Sequence, residues 1–207
     1  MTSRRTTDRA TGLVVLSGQA SGRAGAVWLV GAGPGDPELL TLKALKALQG
    51  AEVVVHDGLV SDEILDLAPA QARRISVAKR KSRHAYPQDE INRMLVAFAQ
   101  EGLRVVRLKG GDPFIFGRAA EEIAAVEAAG IAVDIVPGIT AAQACAVDAR
   151  LPLTYRGEVR QISLVAGASV DGLPDLDWDA IGRPGQALAI YMGVGTAQLI
   201  ARQLIAA

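Results

Sequence analysis

An α/β fold on a parallel sheet is the architecture that this sequence predicts, and three observations carry it. From residue 26 onward, short β-rich runs alternate with helical segments. The β runs are almost continuously apolar, as strands covered on both faces are, instead of alternating like half-exposed ones. Half of the 207 residues are apolar and 22 are glycine, so a sizeable core and many tight turns are both available.

The elements follow in order. "AVWLV" reads as a buried strand and "LTLKALKALQG" as a helix with Thr41 as N-cap and Gly50 closing it. "AEVVVHD" is a second strand, followed by the helix "SDEILDLA", with Ser61 as cap and acids in its first turn. "RRISVAK" is a third strand. "QDEINRMLVAFAQEG" is an amphipathic helix with Ile91, Leu95 and Phe98 on one side and Gly102 at its end. "LRVVRLK", "RAAEEIAAVEAAG" and "IAVDIVP" then read as strand, helix and strand. The expectation is a five-stranded parallel sheet with helices on both faces, filling a first domain over 25–150.

After the helix "AAQACAVDA", the stretch "RLPLTYRGE" reads as a hinge. "VRQISLVAG" and "QALAIYMG" are two further strands, separated by the loop "ASVDGLPDLDWDAIGRP", and "TAQLIARQLIAA" is a final helix. Two strands and a helix make a poor domain alone, so 151–207 is expected to be an incomplete second α/β domain. Leu199, Ile200, Leu204 and Ile205 of the last helix are expected to be exposed. Residues 1–24, rich in Arg, Thr, Ser and Gly, read as a disordered tail or the remnant of an upstream domain. "SRR" is like a twin-arginine signal, but the apolar run after it is too short. No internal repeat is evident.

Composition excludes several classes. Lys plus Arg and Asp plus Glu are both 22, and aromatics make up only 4%, which argues against a nucleic-acid-binding protein. No apolar run approaches a membrane span. One cysteine, Cys145, excludes an internal disulfide and suits the cytoplasm; with only two histidines beside it, a His/Cys metal cluster is not expected.

Ligands of open α/β sheets gather at the carboxyl ends of the strands. The five loops there read "GAGPGDP" (31–37), "HDGLV" (56–60), "AKRKSRHAYPQDEIN" (78–92), "GGDPFIFG" (110–117) and "PGITAA" (137–142). The first is nearly a dinucleotide fingerprint, but its third glycine falls one place early, at Gly35, and Asp36 takes its slot. Pro34 and Pro37 delay the helix, and a carboxylate at the tip repels phosphate. The loop is therefore either a ligand-free turn or a backbone floor for a ligand that binds without phosphate.

These loops resemble those of the tetrapyrrole methyltransferases, and among them the uroporphyrinogen-III C-methyltransferases, from about Val27 to the end of the chain. The most discriminating stretch is Lys79 and Arg80, then His84, Gln88 and Glu90-Ile91-Asn92. The resemblance implies the two-domain tetrapyrrole methylase fold, truncated here at its C-terminus, and S-adenosyl-L-methionine as methyl donor. It implies a cofactor site made by Pro34, then Gly110, Gly111, Asp112 and Ile115, then Thr140, Ala141 and Met192. The substrate implied is uroporphyrinogen III, methylated twice to precorrin-2 on the way to sirohaem or cobalamin, by a cytoplasmic homodimer.

Asp57 is implied as proton acceptor and Lys79 as proton donor. Arg80, Arg107 and His84, with Lys81, Arg83 and Lys109 nearby, supply cations for the substrate's carboxylates. Each has a plainer reading as well. Asp57 could cap a turn, Asp112 could cap the next helix, Met192 could be core, and the basic loop could be a solvated face. The chain departs from the family pattern at Tyr155, where histidine is common, and at Ala166 and Ala168, where polar residues are common. A nicotinamide oxidoreductase is disfavoured by Gly35 and Asp36. A methyltransferase for another precorrin and a non-catalytic tetrapyrrole or cofactor binder stay open.

Overall fold

The computed structural model describes residues 25–78, 86–169 and 172–207. Five strands, β1 (Ala26–Gly31), β2 (Val53–His56), β3 (Arg73–Ser76), β4 (Arg104–Lys109) and β5 (Ala132–Val136), form one sheet in the order β3-β2-β4-β1-β5. Every pairing in it is parallel, so the carboxyl ends of the five strands share one edge, as expected from the sequence.

Period-2 geometry sorts the strand residues onto two faces. Val30, Val54, Val106 and Leu108 face one side, where α1 (Leu42–Gln49) and α2 (Asp62–Leu65) cover them with Ala44, Leu48, Ile64 and Leu65. Val27, Val53, Val55 and Val105 face the other, against Ile91, Leu95 and Ala99 of α3 (Gln88–Gln100) and Val126 of α4 (Ala119–Ala128). The i, i+4 spacing of the α3 residues puts all three on one stripe.

The capping expectations divide. Thr41 Oγ1 accepts the Ala44 N–H at 3.1 Å and starts α1 as foreseen. Ser61 occupies the N-cap position of α2, but its side chain makes no capping bond. It donates instead to the Gly35 carbonyl at 2.8 Å, tying the first loop to the second.

α5 (Ala141–Asp148) leads to a separate two-stranded parallel sheet, β6 (Gln161–Ala166) with β7 (Gln186–Tyr191). The loop between them contains a single helical turn, α6 (Trp178–Ile181), where the sequence reading had only loop; Asp177 caps it through the Ala180 N–H. In α7 (Ala197–Ala206) Ile200 is only 3% exposed, contrary to the expectation for that helix, whereas Leu199 and Ile205 are exposed. Ile200 packs toward Gly193, and its side chain helps line the groove between β7 and α7.

Candidate functional site

At the shared edge of the five-stranded sheet lies a cavity of about 420 Å³. Pro34 lines it from the first loop, Asp57 from the second, and Gly110, Gly111, Asp112 and Ile115 from the fourth. Thr140 and Ala141 line it from the fifth, and Met192 from the end of β7; Arg107 contributes from within β4. All the sequence-level site residues among the described ones therefore meet at one place. Lys79, Arg80 and His84 lie outside the described residues, as do Lys81 and Arg83.

The floor is made of backbone. The Gly33 and Gly111 amides and carbonyls bond reciprocally, at 3.1 and 2.7 Å. A Cβ on Gly138 would lie 2.3 Å from the Gly111 carbonyl oxygen, and one on Gly31 would lie 2.5 Å from the Gly138 nitrogen. The three segments approach this closely only because Gly31 and Gly138 carry no side chain. The first loop is not a phosphate cradle. Asp36 folds its carboxylate onto the Glu38 N–H at 2.8 Å, a 3-10 turn occupies Pro37–Leu39, and α1 begins only at Leu42.

Two carboxylates are held by backbone amides. Asp57 accepts from Leu59 N–H at 3.0 Å and from Gly110 N–H at 3.1 Å, which fixes it beside the glycine floor. It does cap a local turn, and it also reaches across to β4. Asp112 accepts from Phe114 N–H at 2.8 Å and from Gly138 N–H at 3.0 Å. It thus joins the fourth and fifth loops; the N-cap of α4 is Arg118, not Asp112. His56 directs Nδ1 at the Asp57 carbonyl, 2.9 Å away, so this nitrogen donates. Met192 is 62% exposed, which removes the core reading for it.

Beneath the cavity is a buried charge cluster that the sequence reading did not foresee. The face of β4 that carries Val105 continues with Arg107 and Lys109, both 4% exposed. Opposite them on α4 stands Glu122, 0% exposed. Its carboxylate accepts from Arg107 Nε at 3.0 Å, from Lys109 Nζ at 3.0 and 3.1 Å, and from Gln88 Nε2 at 3.2 Å. Arg107 gives further bonds to the Val55 and Leu108 carbonyls. Burial, reinforced by Arg107, lowers the pKa of Lys109, while Glu122 and Asp57 oppose that shift. Arg118, at the mouth, chelates Glu121 with two bonds of 2.7 Å; that pairing raises the arginine's pKa and lowers the glutamate's.

The signal for Glu122 was present in the sequence. Ala119, Glu122 and Val126 fall at i, i+3 and i+7 on the buried stripe of α4, and Glu121 falls one position off it.

Backbone strain gathers here too. Among the described non-glycine residues, Phe116, Arg118, Met192 and Arg150 have positive φ, and the first three line this cavity. Such conformations cost about 1–3 kcal/mol each and persist where packing enforces them.

The profile of the tetrapyrrole (corrin/porphyrin) methylases matches residues 26–207. A siroheme synthase of Chromobacterium violaceum is 53% identical over 175 residues, covering 84% of this chain and 37% of that protein. A uroporphyrinogen-III C-methyltransferase of Paracoccus denitrificans is 55% identical over 191 residues, covering 91% of this chain and 67% of that one. The chain therefore spans less than half the length of the siroheme synthases it matches.

Among solved structures, the Thermus thermophilus uroporphyrin-III C-methyltransferase complexed with S-adenosyl homocysteine superposes with a TM-score of 0.71 at 41% identity. It covers 88% of this chain and 72% of that one. A cobalt precorrin-4 methyltransferase gives 0.76 at 27% identity, covering 87% and 74%. With a parallel sheet, a glycine-floored cavity at its carboxyl edge and a profile match from 26 to 207, the chain belongs to the tetrapyrrole methylase family.

Proposed function

We propose that this chain carries the S-adenosylmethionine-dependent C-methylation of uroporphyrinogen III, performed twice to give precorrin-2. The observation that carries the reading is the convergence on one cavity of Pro34, Gly110 to Asp112, Ile115, Thr140, Ala141 and Met192 from separate loops. The names of the Paracoccus and Thermus relatives support the substrate, and the S-adenosyl homocysteine in the Thermus complex supports the donor.

The residues fit such a ligand. A floor of close-packed glycine backbone admits a flat, uncharged group, and α1, which begins only at Leu42, does not set its N-terminus on the first loop as a phosphate cradle would. Asp112, at the wall, is the carboxylate for a cationic end of the ligand. The donor, when bound, supplies a methyl group already activated on a sulfonium. What the protein adds is alignment and exclusion of water.

As a pyrrole carbon takes the methyl, it gains a bond and the macrocycle must shed a proton. Asp57 is the acceptor in this reading. Two backbone amides fix its carboxylate, and a carboxylate has about four acceptor positions, so lone pairs stay free for that proton. Lys79 is the proposed donor, and Arg80 and His84 bind substrate carboxylates. Arg107 already serves Glu122 and two carbonyls, so its part is to hold positive charge under the substrate rather than to grip one carboxylate in two places.

A homodimer in the cytoplasm belongs to the same proposal. Among the described residues, no helix is long and apolar enough to cross a membrane. The test is incubation of the whole natural polypeptide with uroporphyrinogen III and S-adenosylmethionine, followed by mass spectrometry. A gain of two methyl groups is expected. No transfer to this substrate, with transfer to another precorrin, would replace the substrate in the proposal but keep the reaction.

A further inference from the structure

Tyr191, the last residue of β7, does something that neither the motif reading nor the catalytic proposal uses. Its hydroxyl lies 2.5 Å from Thr140 Oγ1 and accepts the Ala142 N–H at 3.2 Å. Ala142 is in the first turn of α5, where the N-cap residue Thr140 makes no capping bond with its own side chain. A helix start leaves N–H groups unsatisfied, and here a side chain from another sheet supplies the acceptor. The ring of Tyr191 also packs on Phe116, with centroids 4.9 Å apart and planes tilted by 50°.

One side chain therefore joins three walls of the cavity. It touches Phe116 of the fourth loop and Thr140 of the fifth, and it directly precedes Met192 on the second sheet. Phe116 and Met192 both hold left-handed backbone that their side chains disfavour, so something must enforce it. Tyr191 sits between them and is bonded to the helix that follows Thr140.

We propose that Tyr191 is a positioning residue for the methyl donor: its hydroxyl locks the start of α5 to the end of β7 and so sets the spacing between the Thr140–Ala141 and Met192 walls. This rests on reading the cavity as the S-adenosylmethionine site. Ligand that bridges these walls meets them already at the right separation, and affinity is gained by preorganisation rather than by a contact from the hydroxyl itself.

The experiment uses Tyr191→Phe in the whole natural polypeptide, which keeps the ring on Phe116 and removes only the oxygen. S-adenosylhomocysteine is titrated by calorimetry, and amide exchange is followed at Ala142 and at the core residues Val54 and Val106. The affinity should fall about tenfold, the worth of one to two ordinary hydrogen bonds. Exchange at Ala142 should quicken while Val54 and Val106 stay protected. The KM for the donor should rise by the same factor as the dissociation constant, with kcat falling less.

Thr140→Val should weaken binding too, and adding it to Tyr191→Phe should cost little more, since both changes break one link. Unchanged affinity in Tyr191→Phe would overturn the proposal. So would a loss of affinity accompanied by faster exchange at Val54 and Val106, which would make Tyr191 a general stability residue. A parent protein that failed to bind S-adenosylhomocysteine would instead overturn the reading of the cavity, a distinct result.

Discussion

Replacing Glu122 by glutamine keeps the side chain's shape and removes its charge, which isolates what the buried cluster does. In the parent, one carboxylate with no solvent exposure faces two cations that are 4% exposed, and it accepts four bonds from three side chains. Removing the counter-charge leaves Arg107 and Lys109 buried together, and breaking a buried pair in this way costs about 3–5 kcal/mol. The amide still accepts at one oxygen, so the lower figure of about 3 kcal/mol is expected at pH 7.

The cost must depend on pH, because Lys109 can discharge. Its pKa is lowered in the folded protein, chiefly by burial and then by Arg107, while Glu122 is the first opposing influence. Between that lowered value and 10.5 the unfolded chain binds more protons than the native one, so parent stability rises with pH. Without Glu122 the window opens further downward, and the variant's stability rises over a wider range. The difference between the two proteins must therefore shrink as pH rises.

A further fall of one pKa unit in the variant would account for about 1.4 kcal/mol of that narrowing. Urea unfolding at several pH values from 6 to 10, with fluorescence from Trp28 and Trp178, would measure it. A penalty under about 1 kcal/mol would refute an energetically important buried pairing, and one constant across the range would refute its link to the discharge of Lys109.

Three further outcomes are expected. Asp57→Asn should abolish methyl transfer while S-adenosylhomocysteine still binds, somewhat more weakly, because the bonds from Leu59 and Gly110 reach different carboxylate oxygens and the single amide oxygen can keep only one of them; turnover at the parent rate would dismiss it as the proton acceptor. Leu95→Ala empties a fully buried site between α3 and the sheet and should cost about 2–5 kcal/mol in chemical denaturation. Thr41→Ala removes a real cap and should cost about 1 kcal/mol, a loss that Thr41→Asn should largely avoid in a thermal melt.

The fold was legible because its signals are local and repeated. Val53 to Val55 and Val105 to Val106 are apolar on consecutive residues, which only a strand covered on both sides requires. The site was legible as a set of loops, and the parallel pairings of β1 to β5 bring the first, second, fourth and fifth of them to one cavity.

What was missed depends on partners distant in sequence. Arg107 and Lys109 read as cations for a ligand until Glu122, 15 and 13 residues later, is seen to bond to both. Ser61 had the residue type and position of a cap, but the Gly35 carbonyl, 26 residues earlier, claims its hydroxyl. Phe116, Arg118 and Met192 carry left-handed backbone without glycine, so their residue types gave no sign of it.

The stacked backbones of Gly31, Gly111 and Gly138 restrict how this protein can change. Tight packing between side chains leaves an escape: if one grows, its neighbour can shrink, and a damaged variant can be repaired at a second position. Here a methyl group on Gly138 would strike the peptide oxygen of Gly111, and one on Gly31 would strike the peptide nitrogen of Gly138. A peptide group has the same size in every residue, so no substitution at the struck position makes room. Gly31 and Gly138 must therefore each be kept for itself, and suppressor mutations close to the clash are unavailable. Variation that retunes this site has to come through the side chains around the rim, over a floor that offers selection nothing to work with.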